Sequence, residues 1–303
     1  MENNKIEIKL ENIRSKYVLK LVFMNLSSKT LLQTIKYNKE IQNRLEIDIN
    51  NYKDYSEIYS KIEIEITPAR NKYCNFINIP ENQKSFYHIY FNEDENEIKR
   101  NYLKENENIL KIKLILDYKA SIHGLFKDCK CIESLNFIKF NRTNISNMSF
   151  LFSGCSSLKK INFINFKTDN VTNMFCMFSR CALLKELDLS KFVTKNVKDM
   201  SYMFYDCSAL VKLNTSNFDI NNVIDTSFMF YKCFSLKELH LSNLKPNNKL
   251  KYISYMFYGC SSLENLDISN INLDKKTNMD NTFYGCSEKL KMKLETQFKN
   301  III

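Results

Sequence analysis

The sequence predicts an α/β solenoid of about seven repeats of roughly 26 residues, with a parallel sheet along one side, preceded by an α+β amino-terminal domain. Three observations support this prediction. A cysteine recurs at a near-constant interval in the second part of the chain, a phenylalanine precedes each cysteine at a fixed distance, and leucines follow each cysteine in the pattern L-x-x-L-x-L. We therefore expect a domain at 1–117, repeats at 118–295 and a tail at 296–303.

The repeat is defined by seven cysteines, here called the lattice cysteines. Cys129, Cys155, Cys181, Cys207 and Cys233 lie 26 residues apart, Cys260 follows after 27, and Cys286 after 26. The lattice phenylalanines lie three residues before them: Phe126, Phe152, Phe178, Phe204, Phe230, Phe257 and Phe283. A fixed period in this range is the sequence signature of stacked repeats.

Within one repeat the hydrophobic spacing changes along the chain. Met200, Met203, Phe204 and Cys207 follow the spacing i, i+3, i+4, i+7, which predicts a short helix with one apolar face. The next segment, such as "LKELDL" at 184–189, ends in an in-out-in alternation and predicts a short strand. A return loop containing a phenylalanine and an Asn-Val pair completes the repeat.

Stacking of the repeats explains why the cysteine recurs. Equivalent side chains of neighbouring repeats would touch, so the lattice cysteines and phenylalanines would form continuous buried ladders. A zinc site would need cysteine pairs at C-x₂₋₄-C spacing, and the only close pair is Cys129 and Cys131. Disulfides between repeats fit the expected distance, but parallel Cβ vectors and a reducing compartment argue against them. We therefore expect free thiols and no metal.

The repeats, for example "NVTNMFCMFSRCALLKELDLSKF" at 170–192, resemble the BspA-type leucine-rich repeats of bacterial surface proteins and microbial eukaryotes. The core M-F-x-x-C-x-x-L carries the resemblance over about residues 120–290. It implies a right-handed leucine-rich-repeat solenoid used for protein or surface recognition, without enzymatic activity.

Residues 1–117 show no repeat. The stretch from Glu11 to Leu45 predicts two amphipathic helices, and "KIEIEIT", "FYHIYF" and "ILKIKLIL" predict strands. The spacing of Leu19, Phe23, Leu26, Leu31 and Leu32 is similar to an F-box, over about residues 12–46. That resemblance implies docking on the adaptor of a cullin ubiquitin ligase. The alternative is a plain amino-terminal domain that caps the repeats.

Charge and composition restrict the setting. The chain has 44 Lys+Arg against 34 Asp+Glu, but its lysines are scattered among acids, which indicates a solvated surface. Binding to nucleic acid or an anionic surface stays open as a second alternative. No signal peptide and no run of 18 apolar residues are evident. We expect a cytoplasmic protein without a membrane span, in a microbial eukaryote or a virus-infected cell.

The sequence contains few of the residues and motifs that are typical of enzyme active sites. The histidines, His88, His123 and His240, are far apart in sequence, and no phosphate-binding loop, nucleophile elbow or H-E-x-x-H is present. Cys74 and Cys131 lie off the lattice, as does Cys176, and could act as nucleophiles only beside a histidine. Tyr202, with its equivalents in later repeats, is explained by packing between repeats. We predict no catalysis and no cofactor.

A partner-binding face is predicted on the strand side. The residues that flank the middle position of each short strand would point outward and align into columns, and their chemistry changes from repeat to repeat. These residues are Lys160, Asn162, Glu186, Asp188, Lys212, Asn214, Glu238, His240, Asn265 and Asp267. The predicted function is a non-catalytic protein-protein recognition scaffold; exposed polar residues that merely keep the sheet soluble are the simpler alternative.

Overall fold

The computed structural model describes residues 13–25, 38–45, 57–241, 249–268 and 277–297. The chain divides into two compact units, Met1–Ser60 and Lys61–Ile303. The first unit contains helices α1 (Lys16–Asn25) and α2 (Lys39–Leu45). Both begin at a side-chain cap, because Ser15 Oγ accepts the Val18 N–H at 3.3 Å and Asn38 Oδ1 accepts the Ile41 N–H at 3.1 Å.

The F-box resemblance can be followed only in part within the first unit. Leu19 is fully buried on α1, whereas Leu26, Leu31 and Leu32 lie outside the described residues. Neither α1 nor any other described helix is long and apolar enough to span a bilayer.

The second unit begins with a five-stranded sheet. Its strands are β1 (Ile62–Pro68), β2 (Tyr87–Phe91), β3 (Ile112–Leu116), β4 (Ile132–Lys139) and β5 (Lys160–Phe163), in the order β2-β3-β1-β4-β5. A 3₁₀ helix at Glu81–Phe86 precedes β2. The first four strands pair antiparallel, and β5 joins β4 in parallel. In β1 the isoleucines are buried and the glutamates between them are not, because successive side chains face opposite sides.

Four shorter strands follow, in two separate parallel pairs. These are β6 (Glu186–Asp188) with β7 (Lys212–Asn214), and β8 (Glu238–His240) with β9 (Asn265–Asp267). Helix α3 (Glu288–Gln297) lies after the last repeat and buries Leu290 and Leu294.

The prediction of an α/β solenoid with one parallel sheet and a helix in each repeat is wrong. Of the described residues after 118, only α3 forms a helix. The sheets are of mixed orientation, and the short strands of the repeats belong to three separate sheets. A strand of three residues offers very few backbone hydrogen bonds, so a small local shift ends its pairing.

The predicted helix fails because each repeat has two residues in the left-handed region. The residue five before each lattice cysteine has φ between 52° and 59°: Gly124, Phe150, Cys176, Tyr202, Phe228, Tyr255 and Asn281. The residue directly before each lattice cysteine has φ between 56° and 75°: Asp128, Gly154, Arg180, Asp206, Lys232, Gly259 and Gly285. An α-helix requires negative φ throughout, so the segment instead folds into successive tight turns.

The backbone of this segment pairs with the next repeat. The N–H groups of Met200, Tyr202, Phe204 and Asp206 donate to carbonyls of the following repeat at 2.7–3.0 Å. Intervening N–H groups close turns, as where Cys207 donates to the Phe204 carbonyl at 3.2 Å. Isolated parallel bridges link the same region in order: Asn147, Asn173, Asp199, Asp225, Tyr252 and Asn278. The pairing that continues from repeat to repeat therefore runs through the segment predicted to be helical.

The core of the repeats is built from the lattice residues. All seven lattice cysteines and all seven lattice phenylalanines are at most 6% exposed. Consecutive phenylalanine rings stack at centroid distances of 5.2–5.9 Å. Each lattice cysteine from Cys155 onward donates its S–H to the carbonyl of the lattice phenylalanine one repeat earlier, at 3.0–3.2 Å. All ten cysteines are free thiols.

Candidate recognition surface on the short strands

The first residue of each short strand points away from the core. Lys160, Glu186, Lys212 and Glu238 are exposed and begin β5, β6, β7 and β8; we call these four residues the charged column. The next residue of each strand packs inward, as Leu187 and Leu239 do at 4% and 1% exposure. The alternation of a β-strand thus separates a variable surface from a constant apolar interior.

The charged column lies in a shallow concavity of about 690 Å³. Seven of the ten residues predicted as partner-binding line it: Lys160, Glu186, Asp188, Lys212, Asn214, Glu238 and His240. Lys159 and Lys185 add positive charge at its edge. The other three predicted residues, Asn162, Asn265 and Asp267, do not line it. Asn265 instead accepts a hydrogen bond from Lys293 of α3 at 2.9 Å.

Charges alternate in sign along the column. Lys212 Nζ lies 3.1 Å from Glu186 Oε1, and these side chains remain 74% and 67% exposed. An ion pair this exposed contributes only about 0–1 kcal/mol, because water already solvates both charges. The two charges are therefore paired weakly enough to exchange this contact for one with a partner.

Two other predicted residues, each the third residue of its strand, also form hydrogen bonds with the backbone. Asp188 Oδ1 accepts the Ser190 N–H at 3.0 Å, and Asn214 Oδ1 accepts the Ser216 N–H at 3.1 Å. Such bonds form Asx turns, which end the short strands. The Ser190 backbone and side-chain hydrogen bonds lower the pKa of Asp188 below its usual value of 3.8. Asp188 and Asn214 thus have a structural role that the sequence pattern did not indicate.

Two further columns of aromatic side chains lie on the turn segments. Tyr205, Tyr231, Tyr258 and Tyr284 stack at centroid distances of 4.8–5.1 Å. Tyr202, Phe228 and Tyr255 stack at 4.6 and 4.7 Å. Packing between repeats covers the faces of these rings, so only the ends of a column offer a face on which a nucleic-acid base could stack. The sequence signal for the first column is a tyrosine two residues before each of the last four lattice cysteines.

The candidate catalytic residues do not converge. His88 contacts Glu97 at 3.2 Å and Asp117 at 3.4 Å, and His240 is on the strand face. The off-lattice thiol of Cys131 contacts the Cys74 carbonyl at 3.3 Å. Within the described residues no histidine hydrogen-bonds to a cysteine, and no cluster of His, Cys, Asp or Glu could hold a metal ion.

One serine-histidine contact does occur, between Ser149 Oγ and His123 Nδ1 at 2.8 Å. Ser149 is only 4% exposed and also lies 2.6 Å from Asn147 Oδ1. The same short contact recurs between Ser201 and Asp199. The Ser149 hydroxyl thus makes the same turn contact as the equivalent Ser201, and both serines are buried.

A known family model matches the part of the chain that contains the repeats. The family model described as "Mycoplasma protein of unknown function, DUF285" matches residues 120–244 and 212–296, which is more than half of the chain. No curated protein matches the sequence.

Proposed function

Because this chain belongs to the DUF285 family and carries repeats of the BspA type, we propose that it is a non-catalytic recognition module that binds a protein partner through the charged column. The observation that carries this proposal is the concavity itself. It exposes charged side chains on a row of strands whose inward residues are apolar and nearly constant. A surface that varies over an invariant core is what a repeat protein uses for recognition.

The alternating charges favour a protein partner. Nucleic acid presents a uniform negative backbone and is bound by clustered Lys and Arg, whereas Glu186 and Glu238 flank Lys212 here. A protein surface can supply both signs in register, and such complementarity determines specificity and association rate. The partner we infer therefore carries a basic group opposite Glu186 or Glu238 and an acidic group opposite Lys212.

Breaking the ion pair within the charged column costs little free energy. Since the Glu186–Lys212 pair is mostly exposed, a partner can take over either charge at a cost below about 1 kcal/mol. Asp188 is a poorer contact for testing, because its carboxylate already accepts the Ser190 N–H. The test is therefore best made on Glu186 and Glu238.

The experiment has two steps. A photo-crosslinking amino acid is placed at Glu238 and, as a control, at the exposed loop residue Lys195, and proteins captured from native extract are compared. The protein captured only from position 238 is then purified and its affinity measured. We expect Glu186→Lys with Glu238→Lys to weaken binding at least about tenfold at low salt. Lys195→Glu should leave the affinity within about twofold.

Two results would overturn the proposal. One is equal capture from positions 238 and 195. The other is a double variant that binds the purified partner as tightly as the unmodified protein while its thermal unfolding is unchanged.

A further inference from the structure

A second cavity, of about 600 Å³, lies beside the loop that precedes the first lattice cysteine. It is lined by Lys119, Ser121, His123, Arg142, Asn144 and Asn147, among others, and no acidic side chain lines it. The cavity is separate from the strand face, with which it shares no lining residue.

Arg142 is the unusual residue of this cavity, because its side chain is charged and only 5% exposed. Its Nη1 donates to the carbonyls of Asp117 and Ala120 at 3.3 and 3.0 Å, and its Nε donates to Asn144 Oδ1 at 3.3 Å. These bonds hold the guanidinium in place. All three acceptors are neutral, so none of them compensates its charge.

The carboxylate of Asp117, whose backbone carbonyl accepts from Arg142, is paired with other cations. Asp117 lies 3.0 Å from Lys61 Nζ and 3.4 Å from His88 Nε2 through its two carboxylate oxygens. Among the described residues no acidic side chain forms an ion pair with Arg142. Burial lowers the pKa of Arg142 to about 10, so the group is still protonated at neutral pH. A buried charge without a counterion is costly, which makes its presence informative.

The other repeats show that packing does not require an arginine here. Thr168 and Thr194 occupy the same place in the next two repeats, 13 residues before Cys181 and Cys207. Both are 1% exposed, and their hydroxyls donate to the carbonyls of Val193 and Asp219 at 3.0 and 2.9 Å. A neutral hydroxyl satisfies the same position, so the positive charge of Arg142 is an addition.

The remaining nitrogen of Arg142 is available. Nη2 makes no hydrogen bond to any other described residue, and Arg142 lines the cavity. We propose that this cavity binds an oxyanion of the phosphate type, with Arg142 Nη2 as its donor and Lys119 as a second cation at its edge. The planar, always-charged guanidinium suits phosphate oxygens, and the bound anion would supply the missing negative charge.

The test measures binding of inorganic phosphate to the full chain by titration calorimetry at low ionic strength. The matched variant is Arg142→Thr, which installs the residue that the next two repeats use at this position. We expect saturable phosphate binding that weakens at least about tenfold in the variant, with acetate binding more weakly than phosphate to the unmodified protein. Thermal unfolding shows whether the variant is folded.

Lys119→Gln provides a second variant in case Arg142→Thr does not fold. It removes an exposed charge at the cavity edge and should weaken phosphate binding by about two- to threefold, because a partly screened charge contributes less. Lys195 is exposed and does not line the cavity, so Lys195→Gln should leave the phosphate affinity unchanged. The proposal is overturned if the unmodified protein shows no saturable phosphate binding, if acetate binds as well, or if both cavity variants bind like Lys195→Gln.

Discussion

Cys207 Sγ lies 3.1 Å from the carbonyl oxygen of Phe178, one repeat earlier, and donates its S–H to it. The same bond joins each later pair of lattice cysteine and phenylalanine, as well as the two pairs before it. A thiol is small and apolar enough for the core, and it is also a weak donor that can satisfy a buried carbonyl. These two properties explain why cysteine, and not alanine or serine, recurs at this position.

Thiol labelling should follow burial. We expect a thiol reagent at pH 8 to react first with Cys74, which is half-buried, and slowly with Cys207 and Cys233, which are fully buried. All ten cysteines should react quickly after denaturation. Mass spectrometry of the labelled peptides gives the order, and rapid native labelling of Cys207 would contradict the buried ladder.

Stability should fall steeply above pH 9. Burial raises the pKa of Cys207 from its ordinary value of 9.0 to about 12 and that of Cys286 to about 11. At a pH between the ordinary and the raised pKa of such a thiol, the unfolded chain has released a proton that the native chain retains. The stabilisation is therefore complete below pH 9 and is lost as pH rises. Each such thiol should reduce the free energy of unfolding by about 1.4 kcal/mol per pH unit.

Urea unfolding at pH 8, 9.5 and 10.5 measures this slope. Cys207→Ala should be less stable at pH 8 but lose stability less steeply with pH, since one buried thiol is gone. Phe234→Ala, which changes an exposed side chain and no thiol, should keep the full slope. Tyrosines and lysines titrate in every variant, so they cancel in the comparison; equal slopes for all three proteins would show that thiol burial does not cause the effect.

The phenylalanine ladder should be sensitive to truncation. Phe204 is fully buried and stacks on Phe178 and Phe230 at 5.5 and 5.3 Å. Phe204→Ala should lower the free energy of unfolding by about 3–5 kcal/mol, because the rings on either side cannot fill the cavity. Phe234→Ala, at an exposed position, should cost below about 1 kcal/mol. A loss below about 1 kcal/mol at Phe204 would place this ring outside the core.

The left-handed positions allow a stabilising change. Asp206 has φ of 56°, its side chain makes no hydrogen bond to any other described residue, and three other repeats carry glycine at this position. Asp206→Gly should raise the free energy of unfolding by about 0.5–1 kcal/mol, since relief of the left-handed strain exceeds the entropy that glycine loses.

Gly154→Ala is the opposite case. A Cβ at Gly154 would clash with the Asp128 carboxylate and lie 3.2 Å from the Asp128 Cα, and φ is 75°. We expect a loss above about 1 kcal/mol in urea unfolding. If Asp206→Gly destabilised the protein as much as Gly154→Ala, the assignment of left-handed backbone to this position would be wrong.

The first and third residues of β6 should contribute differently to the free energy of unfolding. Asp188→Ala removes the acceptor of the Ser190 N–H and should cost about 0.5–1 kcal/mol, whereas Glu186→Ala should change stability by less than about 0.5 kcal/mol. The lowered pKa of Asp188 means that its contribution is present above the ordinary carboxyl pKa and lost as pH falls through the native one. Equal effects at pH 7 and pH 3 would contradict this.

Sequence alone was sufficient to select the residues that form the interior of the repeats. An interval of 26 or 27 residues identifies Phe204 and Cys207 with their equivalents, and the structure buries all of them. It also identifies the outward positions, seven of which line the strand concavity. Side-chain periodicity carries this information because burial depends on which residues share a face.

Only the tertiary structure decided the backbone conformation of the same segment. The spacing of Met200, Met203, Phe204 and Cys207 fits one face of a helix, but two tight turns place the same four side chains inward. The choice depends on where the N–H groups of Tyr202 and Asp206 find acceptors, and these are carbonyls of the next repeat, 25 residues away. A chain with few glycines must hold aromatic and charged residues at positive φ to make this pairing, and no local propensity favours that. The pairing partner becomes available only when the repeats stack, so the local sequence cannot specify the turn.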